Sequence, residues 1–330
     1  MTAIVIDNLT KRFDDLVAVD NVSFSVKSGE LFGLLGPNGA GKTTILNMLT
    51  TLLVPTAGSA LIAGSDIKKD PDGVRSNIGI IFQDPSLDIG LTGRENLEFH
   101  AMMYNIERSE RKKRIAEVLK VVNLSEKADT LVEYYSGGMK RRLEIARGLI
   151  HYPRVLFLDE PTLGLDAQTR RSIWDYIKNL NKEYGTSIIL TTHYMEEADY
   201  LCDRIAIIDR GKIIALDTPA NLKVQYKRDR ITLAVPDIPE SLVTELEKRA
   251  WVQDILSENG NLVLSVSKGE ENLPELFHLL HSLGVSVSAV SLHTPTLEDV
   301  FIHLTGASIR EQDGSRRSAI RDRMRRRMMR

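Results

Sequence analysis

The sequence holds a single cysteine, Cys202, among 330 residues. One thiol excludes an intramolecular disulfide and a cysteine-based metal cluster, and it fits a reducing compartment. No apolar run approaches the roughly 18 residues that a membrane-crossing helix requires. The N-terminus lacks the basic-then-apolar pattern of a secretory signal. The expectation is therefore a chain that meets a membrane only through a partner or a surface contact. Charge of one sign is missing too. Lys and Arg total 43 against 45 acidic residues, a formal net charge of -2, so no whole-molecule field points to nucleic acid. What is present is ordinary for globular protein: 42% apolar and 27% charged residues, in a length sufficient for two domains with a core each.

One stretch organises the rest. Gly36-Pro37-Asn38-Gly39-Ala40-Gly41-Lys42-Thr43-Thr44 satisfies G-x-x-x-x-G-K-[ST] at every fixed position. A largely apolar run, Glu30–Leu35, precedes it and a helix-like run, Thr44–Leu49, follows, which is the strand–loop–helix context the pattern needs. Glycines let backbone N–H groups close around phosphate oxygens, and the helix start adds free N–H groups and a positive dipole end. Lys42 is placed for β- and γ-phosphates, and the Thr43 hydroxyl for Mg²⁺.

Upstream, residues 3–8 read as a strand and residues 17–27 as a half-buried antiparallel one. Phe13 lies between them. Its local pattern favours an ordinary core phenylalanine over a ring stacked on adenine. Downstream, Ile78–Phe82 is an apolar strand that stops at Gln83, which is either a strand-end group near a metal or water, or a plain loop residue. Thr92 and Glu95 form a capping box that opens a helix, and Arg108–Val122 is a second, charged helix. Together they make a helical insertion over about 84–150. Within it, Ser136-Gly137-Gly138 precedes a helix over Lys140–Ile150 and makes a second anion-binding helix start, a weak signal alone.

Arg154–Pro161 is a buried parallel strand ending in Asp159 and Glu160. That pattern sets one carboxylate at a sheet edge facing Mg²⁺ and the next as general base for water. Asp166 closes a tight turn, and Ser187–Thr192 is a strand that delivers His193 at its end, in reach of a γ-phosphate oxygen or of Glu160 and its water. Arg204–Ile208 reads as the last core strand.

Residues 222–305 follow the order β-α-β-β-α-β, with Asn259-Gly260 as a hairpin turn, which suggests a small ferredoxin-like sandwich. A closing helix is expected over Pro295–Leu304. Residues 309–330 hold nine Arg and three acids, a local +6 that leaves -8 on the first 308. They read as a disordered tail, with a basic amphipathic helix on an anionic lipid surface as the alternative.

The motif series, in this order over residues 1 to about 220, resembles the ATP-binding subunit of an ABC transporter. Tyr135-Ser136-Gly137-Gly138-Met139 and Thr294-Pro295-Thr296-Leu297-Glu298-Asp299-Val300-Phe301 are similar to the daunorubicin-resistance, drug-exporter type. The resemblance implies an α/β fold: a P-loop cassette over 1–221 with a RecA-like parallel core, an antiparallel β subdomain and the helical insertion. A ferredoxin-like accessory domain over 222–305 and an Arg-rich tail over 306–330 follow. It implies an ATPase with ATP and Mg²⁺ as cofactors. Phe13 would stack on adenine, against the local reading. Asn38, Gly39, Gly41, Lys42, Thr43 and Thr44 would hold ATP, and Thr43, Gln83 and Asp159 the metal. Glu160, His193 and Gln83 would be catalytic. Ser136, Gly137 and Gly138 would act on the ATP of a second copy, beside Asp166. The implied partners are that second copy and a separate integral-membrane permease of an exporter for a drug, lipid or polysaccharide-like substrate. The implied location is cytoplasmic, on the inner face of the membrane. The family's usual signature begins with Leu and ends with Gln, where this chain has Tyr135 and Met139. A non-transport ABC ATPase and a binding module without turnover remain as alternatives.

Overall fold

The computed structural model describes residues 1–306 apart from 84–85, 227, 236–237 and 259–260, so the Asn259-Gly260 turn and the Arg-rich tail lie outside it. The described chain divides into two compact units, Met1–Pro219 and Ala220–Gly306.

The first unit contains two sheets. Strands β1 (Thr2–Phe13), β2 (Leu16–Lys27), β4 (Ala57–Ile62) and β5 (Ser65–Asp66) form an antiparallel sheet in the order β2-β1-β4-β5. The other sheet is built from β3 (Leu31–Leu35), β6 (Ile78–Ile81), β7 (Val155–Asp159), β8 (Ser187–Thr192), β9 (Arg204–Asp209) and β10 (Lys212–Asp217), in the order β10-β9-β3-β8-β7-β6. All its pairs are parallel except the edge pair, where β10 runs antiparallel to β9. β10 is an additional strand beyond the last one read from sequence. Strands β3, β7 and β8 are buried along their whole lengths, as unbroken apolar runs must be when a parallel sheet is covered on both faces. The rings of Phe24 on β2 and Phe32 on β3 stack at 4.9 Å, within the buried cluster the two sheets share.

Helices α1 (Lys42–Leu49), α2 (Pro71–Asn77), α3 (Gly93–Met103), α4 (Arg108–Val121), α5 (Gly137–Leu149), α6 (Ala167–Tyr184) and α7 (Met195–Leu201) belong to this unit. The Thr92–Glu95 capping box opens α3 as expected, with both reciprocal hydrogen bonds in place. Ile115, Val118, Leu119 and Val122 are buried along one face of α4 and its cap. α5 begins three residues earlier than the sequence suggested. Ser136 takes the N-cap position and its hydroxyl accepts from the Met139 N–H, so both glycines fall inside the first turn.

Helix α8 (Pro219–Tyr226) leads into the second unit, which runs β11 (Asp229–Ala234), α9 (Glu240–Glu247), β12 (Val252–Glu258), β13 (Asn261–Val266), α10 (Gly269–Ser282), β14 (Ala289–His293) and α11 (Leu297–Thr305). Its antiparallel sheet has the order β12-β13-β11-β14, the ferredoxin-like arrangement that the β-α-β-β-α-β order specifies. Leu242, Leu246, Leu276 and Leu280 from α9 and α10 close its core against Ile231, Leu233 and Leu264 of the sheet.

Candidate active site

Strand order brings the motifs together. β7, β8 and β3 are neighbours, with Asp159 paired to Thr191 and Leu35 paired to Thr192. The segments after all three strands therefore leave the sheet side by side at its carboxyl edge, where open α/β sheets bind ligands. The Gly36 N–H donates to the Thr192 carbonyl at 3.3 Å, and the Glu160 N–H to the Thr191 carbonyl at 3.1 Å.

The loop after β3 can close only with glycine. A Cβ on Gly36 would lie 2.2 Å from the Ile208 carbonyl oxygen. Gly41 has φ +109°, and a Cβ there would lie 2.6 Å from the Ala18 carbonyl oxygen. Gly41 is the N-cap of α1, so Lys42 and Thr43 occupy the first turn of that helix, where the unsatisfied N–H groups point outward. Asn38 and Gly39 form the exposed crest of the loop, and Thr44 is half-buried. Lys42 is 4% exposed; its Nζ donates to the carbonyls of Gly36 at 2.7 Å and Pro37 at 3.2 Å.

The same Nζ lies 3.5 Å from Glu160 Oε1, and His193 Nδ1 lies 3.2 Å from Glu160 Oε2. Burial works against ionising Glu160, but the His193 contact and the Lys42 charge outweigh it and hold the carboxyl below the ordinary range. Glu160 also has φ +47°, a left-handed conformation uncommon away from glycine and frequent at functional sites. Asp159 Oδ1 accepts from the Thr43 hydroxyl at 3.3 Å and from the Thr191 hydroxyl in a short contact. A carboxylate beside a hydroxyl is a hard-oxygen donor set, which suits Mg²⁺ held jointly by protein and phosphate. Lys42, Thr43, Asp159, Glu160 and His193 thus form one cluster.

The other sequence-predicted residues lie on separate segments. Gln83 is exposed just past the end of β6. Phe13, at the end of β1, is 43% exposed, so the core reading of this ring is corrected. Beyond the Thr10–Ala57 pair β4 no longer accompanies β1, and only the hairpin to Leu16 remains to cover it. Lys11 Nζ sits 5.0 Å from the Phe13 ring centroid. Ser136, Gly137 and Gly138 form the start of α5. A Cβ on Gly138 would lie 2.6 Å from Thr169 Cγ2, so that helix start abuts the first turn of α6. Asp166 caps α6, its two oxygens accepting from the Thr169 N–H at 2.9 Å and the Thr169 hydroxyl at 2.6 Å. Those bonds hold its carboxyl below the ordinary range.

Three residues about this site had no reading from sequence. Thr191 orients Asp159. Arg141, on α5, reaches main-chain carbonyls on both sides of Glu160. Glu197, on α7 and fully buried, accepts from the Thr162 hydroxyl at 2.6 Å and the Trp174 indole N–H at 2.8 Å. Burial pushes the Glu197 carboxyl up, against the pull of those donors.

Comparison with known proteins agrees with this geometry. A family model described as ABC transporter matches residues 19–163, and one described as ATP-binding protein DrrA1-3-like, C-terminal domain, matches residues 218–305. The linearmycin resistance ATP-binding protein LnrL of Bacillus subtilis is 39% identical, covering 92% of this chain and 99% of that protein. The doxorubicin resistance ATP-binding protein DrrA of Mycobacterium tuberculosis is 38% identical, covering 92% and 93%. Among solved structures, the cassette MJ0796, described as a dimeric post-hydrolysis state bound to ADP and Pi, aligns with TM-score 0.58 at 31% identity over 65% of this chain and 98% of that one. CbiO1 of Clostridium perfringens, part of the ABC transporter complex cbiONQ, aligns with TM-score 0.64 at 29% identity over 68% and 91%.

Proposed function

We infer the function from one premise: the chain belongs to the ABC transporter ATP-binding family, in its DrrA type, and is an ATPase subunit. The relatives are resistance and transporter ATP-binding proteins over nearly the whole length of this chain, which sets aside the non-transport reading and the binding module without turnover.

The residues then take these roles. The loop Asn38–Thr44 binds the triphosphate through backbone N–H groups and the Lys42 charge, and Phe13 offers its exposed face to adenine. Thr43 and Asp159 would hold Mg²⁺, with Gln83 as a further oxygen donor. When bound, the ion neutralises charge on the β- and γ-phosphate oxygens. Glu160 takes a proton from water as that oxygen attacks the γ-phosphorus, and ADP is the leaving group. His193 fixes the carboxylate that receives the proton. Ser136–Gly138, at a second helix start, would complete the phosphate site of another copy, with Asp166 at the same junction.

For transport we assign a separate membrane permease as the partner, as the resemblance to resistance-type ATP-binding proteins implies; no helix among the described residues is long and apolar enough to cross a membrane. A groove of about 410 Å³ beside Gln83 is lined by Phe82, Phe99, Met103 and Arg147 among others; Phe99 and Met103 are 62% and 64% exposed. Such an apolar patch on a soluble face marks an interaction surface. We assign it to the permease and place the subunit on the cytoplasmic side of the membrane. The names of the relatives, resistance proteins for linearmycin, daunorubicin and doxorubicin, favour export of a drug as the task.

The observation that carries the reading is the Lys42–Glu160–His193 cluster. Its test is Glu160→Gln. We expect kcat for ATP to fall about 100- to 10,000-fold, the usual contribution of a general base, with ATP binding retained. Full activity in that variant is incompatible with the assigned role.

A further inference from the structure

We propose that Arg141 is a positioning residue for hydrolysis: its guanidinium fixes the backbone on both sides of Glu160 and ties it to the segment that carries Gln83. The proposal rests on the reading of Glu160 as the base.

Arg141 lies on α5, five residues past the Ser136 cap, and is 7% exposed. Its Nε donates to the Pro161 carbonyl at 2.6 Å and its Nη2 to the Asp159 carbonyl at 3.3 Å. These carbonyls belong to the residues immediately after and before Glu160. Between them Glu160 holds φ +47°, a conformation that persists only where the surroundings over-determine it. A buried, charged donor set on both flanking carbonyls is such a constraint. A third arm, Nη1, donates to the Phe82 carbonyl at 2.8 Å, one residue before Gln83.

The charge is balanced on the spot. Arg141 Nη1 also donates to Glu144 Oε2 at 2.7 Å, and Glu144 Oε1 accepts from the Ser86 N–H at 2.9 Å. Glu144 is 2% exposed. The pair therefore links the signature helix, the end of β7, the Phe82 carbonyl before Gln83 and the Ser86 N–H after it through one buried ion pair. Only a guanidinium fits, because its planar fork of five N–H groups can serve separate carbonyls at fixed angles. A lysine ammonium is a point donor on a flexible stem. None of these contacts touches the Lys42 loop, so the residue acts through the backbone around Glu160 and not through the triphosphate-binding loop.

The test uses the full-length protein with two variants. Arg141→Lys keeps the charge against Glu144 and removes the fork. Arg141→Met combined with Glu144→Met removes both charges at once, which buried pairs tolerate better than loss of one partner. Affinity is read with a fluorescent ATP analogue, hydrolysis by phosphate release and folding by Tm. We expect affinity close to wild type in both. We expect kcat reduced about 10-fold or more in Arg141→Lys and about 100-fold in the double variant, the scale of a catalytic group displaced by about 1 Å. A purely structural residue would lower Tm and leave kcat per folded molecule unchanged. Wild-type kcat in Arg141→Lys, or affinity falling in parallel with kcat, overturns the proposal. Arg141→Lys decides alone if the double variant does not fold. Glu160→Gln assayed alongside separates the two claims: an inactive Glu160→Gln with an active Arg141→Lys removes only the positioning role.

Discussion

Glu160 and Glu197 are buried carboxyls, one thirty-three residues before His193 and the other four after it, and their surroundings push them in opposite directions. Burial opposes ionisation of both. At Glu160 the contacts from His193 and Lys42 win, so the base stays charged; at Glu197 the neutral donors Thr162 and Trp174 do not offset burial. The sign of the consequence follows. A carboxyl raised in the folded state binds more protons folded than unfolded, so its contribution to stability falls as pH rises above the ordinary value of 4.5. Glu197→Gln cannot ionise, and its Tm relative to wild type is expected to rise from about pH 5 to about pH 8; a flat difference would contradict the assignment. Phe13→Ala is expected to weaken ATP binding by about 1–3 kcal/mol, the worth of one base–aromatic stack, with kcat at saturating ATP little changed. Equilibrium titration checks it. Lys42, Thr43, Asp159 and His193 were legible because each sits at a fixed offset from a glycine loop or a strand end. Arg141, Thr191 and Glu197 were not, because their partners are distant in sequence and their spacing carries no pattern. Phe13 was misread locally because its exposure depends on where β4 stops.

Strands β3, β7 and β8 were readable as elements because parallel strands buried on both faces are unbroken apolar runs. Helix α2 was not. It spans only seven residues with Pro71 and Gly73 in its first turn, too few turns to show a period. β10 was hidden for another reason: it is an edge strand with five half-buried residues, and so lacks the contrast between faces that marks a strand. The start of α5 was placed late because its two glycines read as loop, whereas the Ser136 cap carries the helix through them. That cap allows a separation of roles. Ser136→Ala removes the cap and is expected to cost about 1 kcal/mol of stability. Ser136→Asp keeps a good N-cap but sets a negative charge where the partner copy's phosphate would lie. Stability near wild type with hydrolysis lost is the expected outcome for Ser136→Asp, measured by denaturant unfolding and phosphate release. Undiminished hydrolysis would remove Ser136 from the site.

At the scale of the whole molecule, the chain is a P-loop cassette followed by a ferredoxin-like unit, and both architectures were legible from motif order and element order. The partner was less so. An exposed groove can be read as a docking face only once β6, α3 and α5 are folded against one another, because its lining comes from all three segments. The central claim is that ATP joins two copies, the signature of each facing the triphosphate of the other. The most direct measurement is the mass of the Glu160→Gln protein in solution, by light scattering, without nucleotide and with saturating MgATP. The account expects the mass to double with MgATP and to return to the monomer value when the magnesium is chelated. A monomer that has demonstrably bound ATP would contradict it.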